Sequence, residues 1–173
     1  MKKYTQDKDI EFLVGLVIEA KLPDDSIIVE IGTASLGTTV HIAKTAPNSS
    51  VVTIDTYNSP KVRAKDFEVN FKLLQKLEIY NVRLIQSTSE AFGNKYKGAI
   101  DFLWIDGYHA YEFVKKDIKI WGSKLKTGCI ICGHDYTGHD GNVTRAVDEL
   151  VRDSDQYEDF SVYNNIIWYA KRK

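Results

Sequence analysis

Five short apolar runs, separated by stretches of helical periodicity, constrain the fold of this chain more than any other feature. Residues 27–31, 51–55, 82–86, 100–105 and 129–132 are β-branched or aromatic in bias, and each run stops at Gly, Asp or Ser. Between the runs, apolar residues recur at helical spacing. Val114, Ile118, Trp121 and Leu125 follow at intervals of four, three and four across residues 111–125. Phe67, Phe71 and Leu74 share a face across residues 62–79, and Val143, Ala146, Val147 and Leu150 do so after Gly141. "TTVHIAKTA" after Gly37 is a shorter helical stretch, and residues 9–20 predict a helix ahead of the first strand. Alternating strands and helices predict right-handed crossovers and a doubly wound α/β fold whose parallel sheet is covered on both faces.

The end of the chain breaks the alternation. "DFSVYNNIIWYA" holds two strand runs with only Asn164 and Asn165 near their junction, and Asn tolerates the positive φ of a tight hairpin. The last two strands are therefore expected to pair antiparallel on an otherwise parallel sheet, unlike an all-parallel nicotinamide-binding domain.

With 173 residues the chain is long enough for one domain with a sizeable core, read as a helical segment over residues 1–26 and an α/β core over residues 27–173. A net charge of -1 gives no global field to recruit nucleic acid or an anionic membrane. Lys115, Lys116 and residues 171–173 read as solvated surface, not a nucleic-acid patch. No apolar run approaches the roughly 20 residues of a membrane helix, and "MKKYTQDKDIEF" lacks the apolar stretch of a signal peptide. A cytoplasmic location, with neither membrane nor nucleic acid as partner, is the expectation. Cys129 and Cys132 form a C-x-x-C motif, but strand positions three apart point to opposite faces, and no second cysteine pair completes a zinc site. Both read as small core residues.

"VEIGTASLGTT" follows the first strand and opens a helix, where a doubly wound sheet holds its cofactor. Gly32 lets a ligand approach the backbone, and Gly37 permits close helix packing or a tight turn. A dinucleotide loop would carry glycine where Ala34 stands. A P-loop has the spacing of Gly32 and Gly37 but a lysine where Thr38 stands. An adenosyl cofactor without phosphates needs neither. Glu30, an acid near the end of the first strand, would repel a pyrophosphate and suits the cationic S-adenosylmethionine, directly or through loop amides. Asp55 ends the second strand, where an acid accepts both ribose hydroxyls in NAD and adenosylmethionine sites alike. The remaining readings are NAD and a turn with incidental acids.

Three stretches, "VEIGTASLGTT", "IDFLWIDGYHAYEFVKKDI" and "GCIICGHDY", resemble the class I S-adenosylmethionine-dependent methyltransferases. More narrowly, they resemble the compact group that includes macrocin-type sugar O-methyltransferases and proteins labelled cephalosporin hydroxylase. The similarity spans roughly residues 27–136. It implies a Rossmann-like seven-stranded sheet of order 3-2-1-4-5-7-6 with strand 7 antiparallel. It implies cofactor contacts from Glu30, Gly32, Thr33, Ala34, Ser35 and Asp55, from Asp106, and from Ser87, Thr88 and Ser89 near the adenine. Relatives read G-T-x-x-G-G-S, and Leu36 replaces the first of the paired glycines here.

In that order strands 1 and 4 are neighbours at the switch point, so Asp106 is expected beside the glycine loop, over the cofactor's reactive end. The fifth strand ends in "GHDY" and brings His134 and Asp135 alongside. Two carboxylates and an imidazole suit a divalent cation, which lowers the pKa of a bound hydroxyl. Related sugar and catechol-type enzymes bind magnesium through acids at these strand ends. His134 stands where they carry an acid, which leaves manganese, iron or zinc open. The bland alternative is that Asp106 and Asp135 cap helices or touch the cofactor, with His134 a hydrogen-bonded strand end.

His109 lies three residues after Asp106, at the mouth of the next helix, and is the expected general base. Its ordinary pKa near 6.5 suits that role, and the helix N-terminus should favour the neutral ring. Macrocin-type relatives with the same D-x-x-H pattern assign the matching histidine as base. The alternative is a ring that caps or packs against the helix start. His41 reads as packing or solvent-facing, and His139 as a lesser candidate for touching substrate.

The expected function is S-adenosylmethionine-dependent O-methylation of a small hydroxyl-bearing acceptor, a sugar or glycan precursor, with Asp106 and His109 catalytic. The acceptor pocket is completed by the segment after Asp55, by "YTGHDGN", or by a second subunit of a homo-oligomer. The alternatives are a metal-dependent hydroxylase or hydrolase using Asp106, His134 and Asp135, and a non-catalytic cofactor-binding partner subunit.

Overall fold

A computed structural model of the protein describes residues 6–58 and 64–173, without the side chains of residues 64, 65 and 139. The His139 side chain, a lesser substrate candidate, thus lies outside the described residues. Among those residues the strands are β1 (Ile27–Ile31), β2 (Ser50–Asp55), β3 (Val82–Gln86), β4 (Ile100–Ile105), β5 (Leu125–Gly133), β6 (Tyr157–Tyr163) and β7 (Ile167–Arg172). They form one sheet in the order β3-β2-β1-β4-β5-β7-β6, the expected Rossmann-like order. β1 with β2, β2 with β3, and β4 with β5 pair parallel, while β7 runs antiparallel to both β5 and β6. No helix among the described residues is long and apolar enough to cross a membrane. The chain comprises two compact units, Met1–Thr88 and Ser89–Lys173.

In the first unit, α1 (Asp7–Glu19) turns Ile10, Leu13, Leu16 and Val17 inward at helical spacing. α2 (Gly37–Thr45) follows β1, and α3 (Ala64–Lys76) precedes β3. β1 and β2 are buried almost throughout, as strands covered on both faces must be. Burying each such Ile or Val side chain stabilises the fold by about 1.5–3 kcal/mol. The α3 stripe is rotated from the expected one. Phe71 is 53% exposed, whereas Asn70, three residues after Phe67, is buried. At about 100° per residue, a stripe through 67, 70 and 74 is as helical as one through 67, 71 and 74. The polar side chain goes inside because it has partners there, described below.

In the second unit, β4 is buried at every position, and α5 (Tyr111–Gly122) lays Val114, Ile118 and Trp121 inward as the spacing predicts. Leu125 is not the last turn of that helix. It begins β5, opposite Ile100, and β5 is longer than the expected run over 129–132. Both assignments bury the leucine, so periodicity alone did not separate them. α4 (Ser89–Lys95) is a short helix that carries no apolar period, and its Phe92 stacks on Trp121. α6 (Asn142–Val147) leads into a π-helical turn over Asp148–Arg152. Asn164 and Asn165 sit at φ 48° and 59°, and Ile166 N donates to Tyr163 O at 2.9 Å, so the terminal hairpin turns as its two asparagines predict. Cys129 and Cys132 are free thiols on β5; burial pushes both thiol pKa values up, most at the fully buried Cys132.

Candidate active site

The glycine loop begins where the apolar run of β1 ends. Gly32 leaves the strand at φ 97°, and its N–H still donates to Ile54 O at 2.9 Å. Ala34 and Leu36 then take left-handed backbone, at φ 43° and 65°. Such geometry costs about 1–2 kcal/mol per non-glycine residue, so something must hold it. Asp55 Oδ2 accepts the Ala34 N–H at 3.0 Å, and Asp55 Oδ1 accepts the Tyr57 N–H at 2.8 Å. Asn70 Nδ2 donates to Ala34 O at 2.9 Å and to the Tyr57 hydroxyl at 3.3 Å. Leu36 buries its side chain completely. Leucine, buried here, thus holds this left-handed turn. Gly37 has neither role expected of it: its φ is not positive, and an added Cβ would meet nothing within 4 Å.

Glu30 is fully buried beneath this loop. Its carboxylate accepts the hydroxyls of Thr38 and Thr39, from the first turn of α2, and that of Thr53 from β2 at 2.6 Å. Thr33 Oγ1 in turn lies 2.7 Å from Thr53 Oγ1. A buried carboxylate needs such donors to offset its lost hydration. Thr38, which stands where a P-loop would have lysine, is one of them. Asp55 keeps unused lone pairs, since each carboxylate oxygen accepts more than one hydrogen bond.

The segment after β3 is tied at both ends. Ser87 N donates to Asp55 O at 3.0 Å. In the second unit, Ser89 Oγ accepts Trp121 Nε1–H at 2.8 Å and bonds to the carboxyl of Asp117. Burial pushes the Asp117 carboxyl up to about 6, against the Ser89 hydrogen bond that lowers it.

Asp106 follows β4, and His134 and Asp135 follow β5. Gly133 lets those ends approach: an added Cβ would meet Ile105 O and a Trp168 ring carbon, each at 2.6 Å. His134 N donates to Ile105 O at 3.1 Å, and Asp135 turns the chain at φ 59°. His109 Nε2 comes to 3.0 Å from Asp135 Oδ2 and 3.7 Å from Asp106 Oδ1, and His134 Nδ1 lies 3.2 Å from Asp135 Oδ2. One ligand atom each from Asp106, His134 and Asp135 fall within 4.8 Å of one another, a donor set that fits a divalent cation. Burial disfavours the charged ring of His109, but the two carboxylates outweigh it and carry its pKa up to about 9. The neutral ring expected from the helix N-terminus is thus overridden by nearer, full charges. Burial likewise opposes ionisation of Asp135, yet His109 and His134 hold it well below the usual carboxylate range. Tyr108 and Phe113, both more than half exposed, pack edge to face with centroids 5.0 Å apart. His41 is exposed on α2.

Asn70 and Asp117 escaped sequence reasoning. Each had a signal, a polar residue at an apolar-stripe position: Asn70 between Phe67 and Leu74, Asp117 between Val114 and Ile118.

The overall structure is similar to a Staphylococcus aureus structure put forward as a caffeoyl-CoA O-methyltransferase, with TM-score 0.79 and 16% identity over 99% of this chain and 86% of that one. An rRNA methylase from Streptococcus thermophilus gives TM-score 0.72 and 17% identity over 99% and 98%. A Streptococcus mutans protein put forward as a methyltransferase, in complex with SAH, gives 0.73 and 18% over the full length of both. At such identities the likeness is one of fold, and the first two of these proteins are named for different acceptor classes. No curated protein matches the chain. The profile of the methyltransferase-domain family matches residues 29–136, which span the glycine loop, Asp55, Asp106, His109, His134 and Asp135, and the chain belongs to that family.

Proposed function

We propose that the chain is an S-adenosylmethionine-dependent O-methyltransferase acting on a hydroxyl of a small, sugar-like acceptor. The single observation that carries this reading is the convergence of His109 on the carboxylates of Asp106 and Asp135, with His134 alongside. Bound S-adenosylmethionine supplies the methyl group. Gly32, Thr33, Ala34 and Ser35 offer it a backbone cradle, Asp55 accepts its ribose hydroxyls, and Ser87 and Thr88 complete its contacts on the pattern of the family. Glu30 serves this site by holding its loop, since its carboxylate already bonds Thr38, Thr39 and Thr53.

Asp106, His134 and Asp135 would hold a divalent cation, which lowers the pKa of a coordinated hydroxyl. His109 takes the hydroxyl proton at Nε2, and Asp135 stabilises the ring once protonated. Proton removal by a placed base is worth roughly 10²–10⁴ in rate. The exposed pair Tyr108 and Phe113 offers an apolar edge for the carbon face of the acceptor.

Conversion of S-adenosylmethionine to S-adenosylhomocysteine with a panel of sugars, catechols and an RNA fragment tests the reading. Turnover with a sugar or catechol, lost in His109→Ala, supports it. Turnover with RNA alone would replace the acceptor class, and cofactor binding without transfer to any member would point to the partner-subunit alternative.

A further inference from the structure

We infer that Arg145 binds an oxyanion, and that the acceptor carries a phosphate or carboxylate group beside the hydroxyl to be methylated. The inference rests on reading Asp106, His109 and Asp135 as the cluster that handles the acceptor hydroxyl. The Arg145 guanidinium lies 4.0 Å over the centre of the Tyr111 ring. Stacking of this kind fixes the plane of the group and leaves its N–H edge to a ligand.

Two tethers attach Arg145 to the segments that carry the site. Tyr111 begins α5 and follows His109 by two residues. Thr144, the chain neighbour of Arg145, donates its hydroxyl to the carbonyl of Tyr136, which follows Asp135. Arg145 is thus fixed against the segment carrying His109 and against the segment carrying Asp135. Side chains on a helix lean toward its start, and α6 starts at the end where β5 delivers Asp135.

The acids of this neighbourhood are engaged elsewhere. Glu149 accepts the Tyr111 hydroxyl and pairs with Lys115 at 2.9 Å. Asp148 accepts the Tyr136 hydroxyl at 2.5 Å and pairs with Arg152 at 2.7 Å. Among the described residues no carboxylate pairs with Arg145, and the side chain is exposed. An immobilised guanidinium without an acid partner suits a carboxylate or phosphate, which it grips through two parallel hydrogen bonds. It also answers an electrostatic problem: an anionic acceptor approaching Asp106 and Asp135 needs a counter-charge nearby.

The test follows the side-chain Nε–Hε signal of Arg145 by NMR, in protein saturated with S-adenosylhomocysteine, during titration with inorganic phosphate and with acetate at constant ionic strength. The inference expects a saturable shift at Arg145 about tenfold tighter than at the surface residue Arg83 and weakened about tenfold in Tyr111→Leu, and a phosphate affinity by calorimetry that falls about tenfold in Arg145→Lys, with adenosylhomocysteine affinity unchanged. Tighter phosphate binding assigns a phosphorylated acceptor, and tighter acetate binding a carboxylated one. A linear shift no larger than that of Arg83, or phosphate affinity unchanged in Arg145→Ala, overturns the inference. Failure of adenosylhomocysteine to bind would instead strike the methyltransferase reading, and the anion titration remains readable without it.

Discussion

His109 Nε2 lies 3.0 Å from Oδ2 of Asp135, so the imidazole and the carboxylate titrate as a pair. The folded pKa of His109, about 9, stands above its ordinary 6.5. The stability this pairing contributes is therefore fully present below about 6.5 and lost as pH rises through about 9. Allowing for partial solvent screening, the contribution is about 1–3 kcal/mol. Histidine-selective NMR of the cation-free protein should show His109 titrating well above its ordinary 6.5, and Asp135→Asn should lower the His109 midpoint by more than about one unit. A base must first lose its proton, so cation-free turnover should rise with pH through the same range. A His109 midpoint at or below 6.5 would break the pairing.

How much of this was legible in the sequence depends on the residue. The strand runs 27–31, 82–86 and 100–105 matched their elements because continuous apolar runs between breakers have few other solutions. The proximity of Asp106, His109, His134 and Asp135 was legible through the strand order that the resemblance implies, since strand ends in a doubly wound sheet meet along one edge. Leu36 in left-handed backbone and the inward Asn70 were not visible, because both depend on bonds made at long range to Asp55, Tyr57 and Ala34. The direction of the His109 pKa was misjudged because two carboxylates outweigh the helix N-terminus: Asp106, only three residues away, and Asp135, which is 26 residues away in sequence and 3.0 Å away in space.

The donor set of Asp106, His134 and Asp135 should bind Mn²⁺ in the protein without cofactor or acceptor. Calorimetry should show one site, weakened at least about tenfold by Asp135→Asn and by Asp106→Asn. Equal affinity in wild type and both variants would place any bound ion elsewhere.

Gly133 holds the ends of β4 and β5 together, and a Cβ there meets Ile105 O at 2.6 Å. Gly133→Ala should destabilise the protein by about 1–3 kcal/mol, as overpacking does. It should also displace Asp106 and His134, which flank the two crowded residues, and so weaken Mn²⁺ binding. Urea unfolding with unchanged stability, together with unchanged Mn²⁺ affinity, would contradict this.

Asp117 is 6% exposed, and its carboxyl is raised from 3.8 to about 6. An acid raised on folding favours the folded state most when protonated. Its penalty is absent below about 3.8 and fully present above about 6, so this residue lowers stability as pH rises through that window. Asp117→Asn keeps an acceptor for Ser89 and removes the buried charge. It should stabilise the protein by about 1–3 kcal/mol at pH 7, with little effect at pH 3.5. Thermal melts at both pH values decide the matter. A variant less stable than wild type at pH 7 would show that Asp117 is held as a needed anion.

The central claim is that the loop from Gly32 to Leu36, clamped by Asp55, holds S-adenosylmethionine. Titration calorimetry of the purified protein with S-adenosylhomocysteine and with NAD tests it most directly, alongside Asp55→Ala. Binding of S-adenosylhomocysteine at one site, no binding of NAD, and a loss of one to two orders of magnitude in Asp55→Ala, about 1.5–3 kcal/mol, are expected. Binding of NAD with none of S-adenosylhomocysteine would contradict the account.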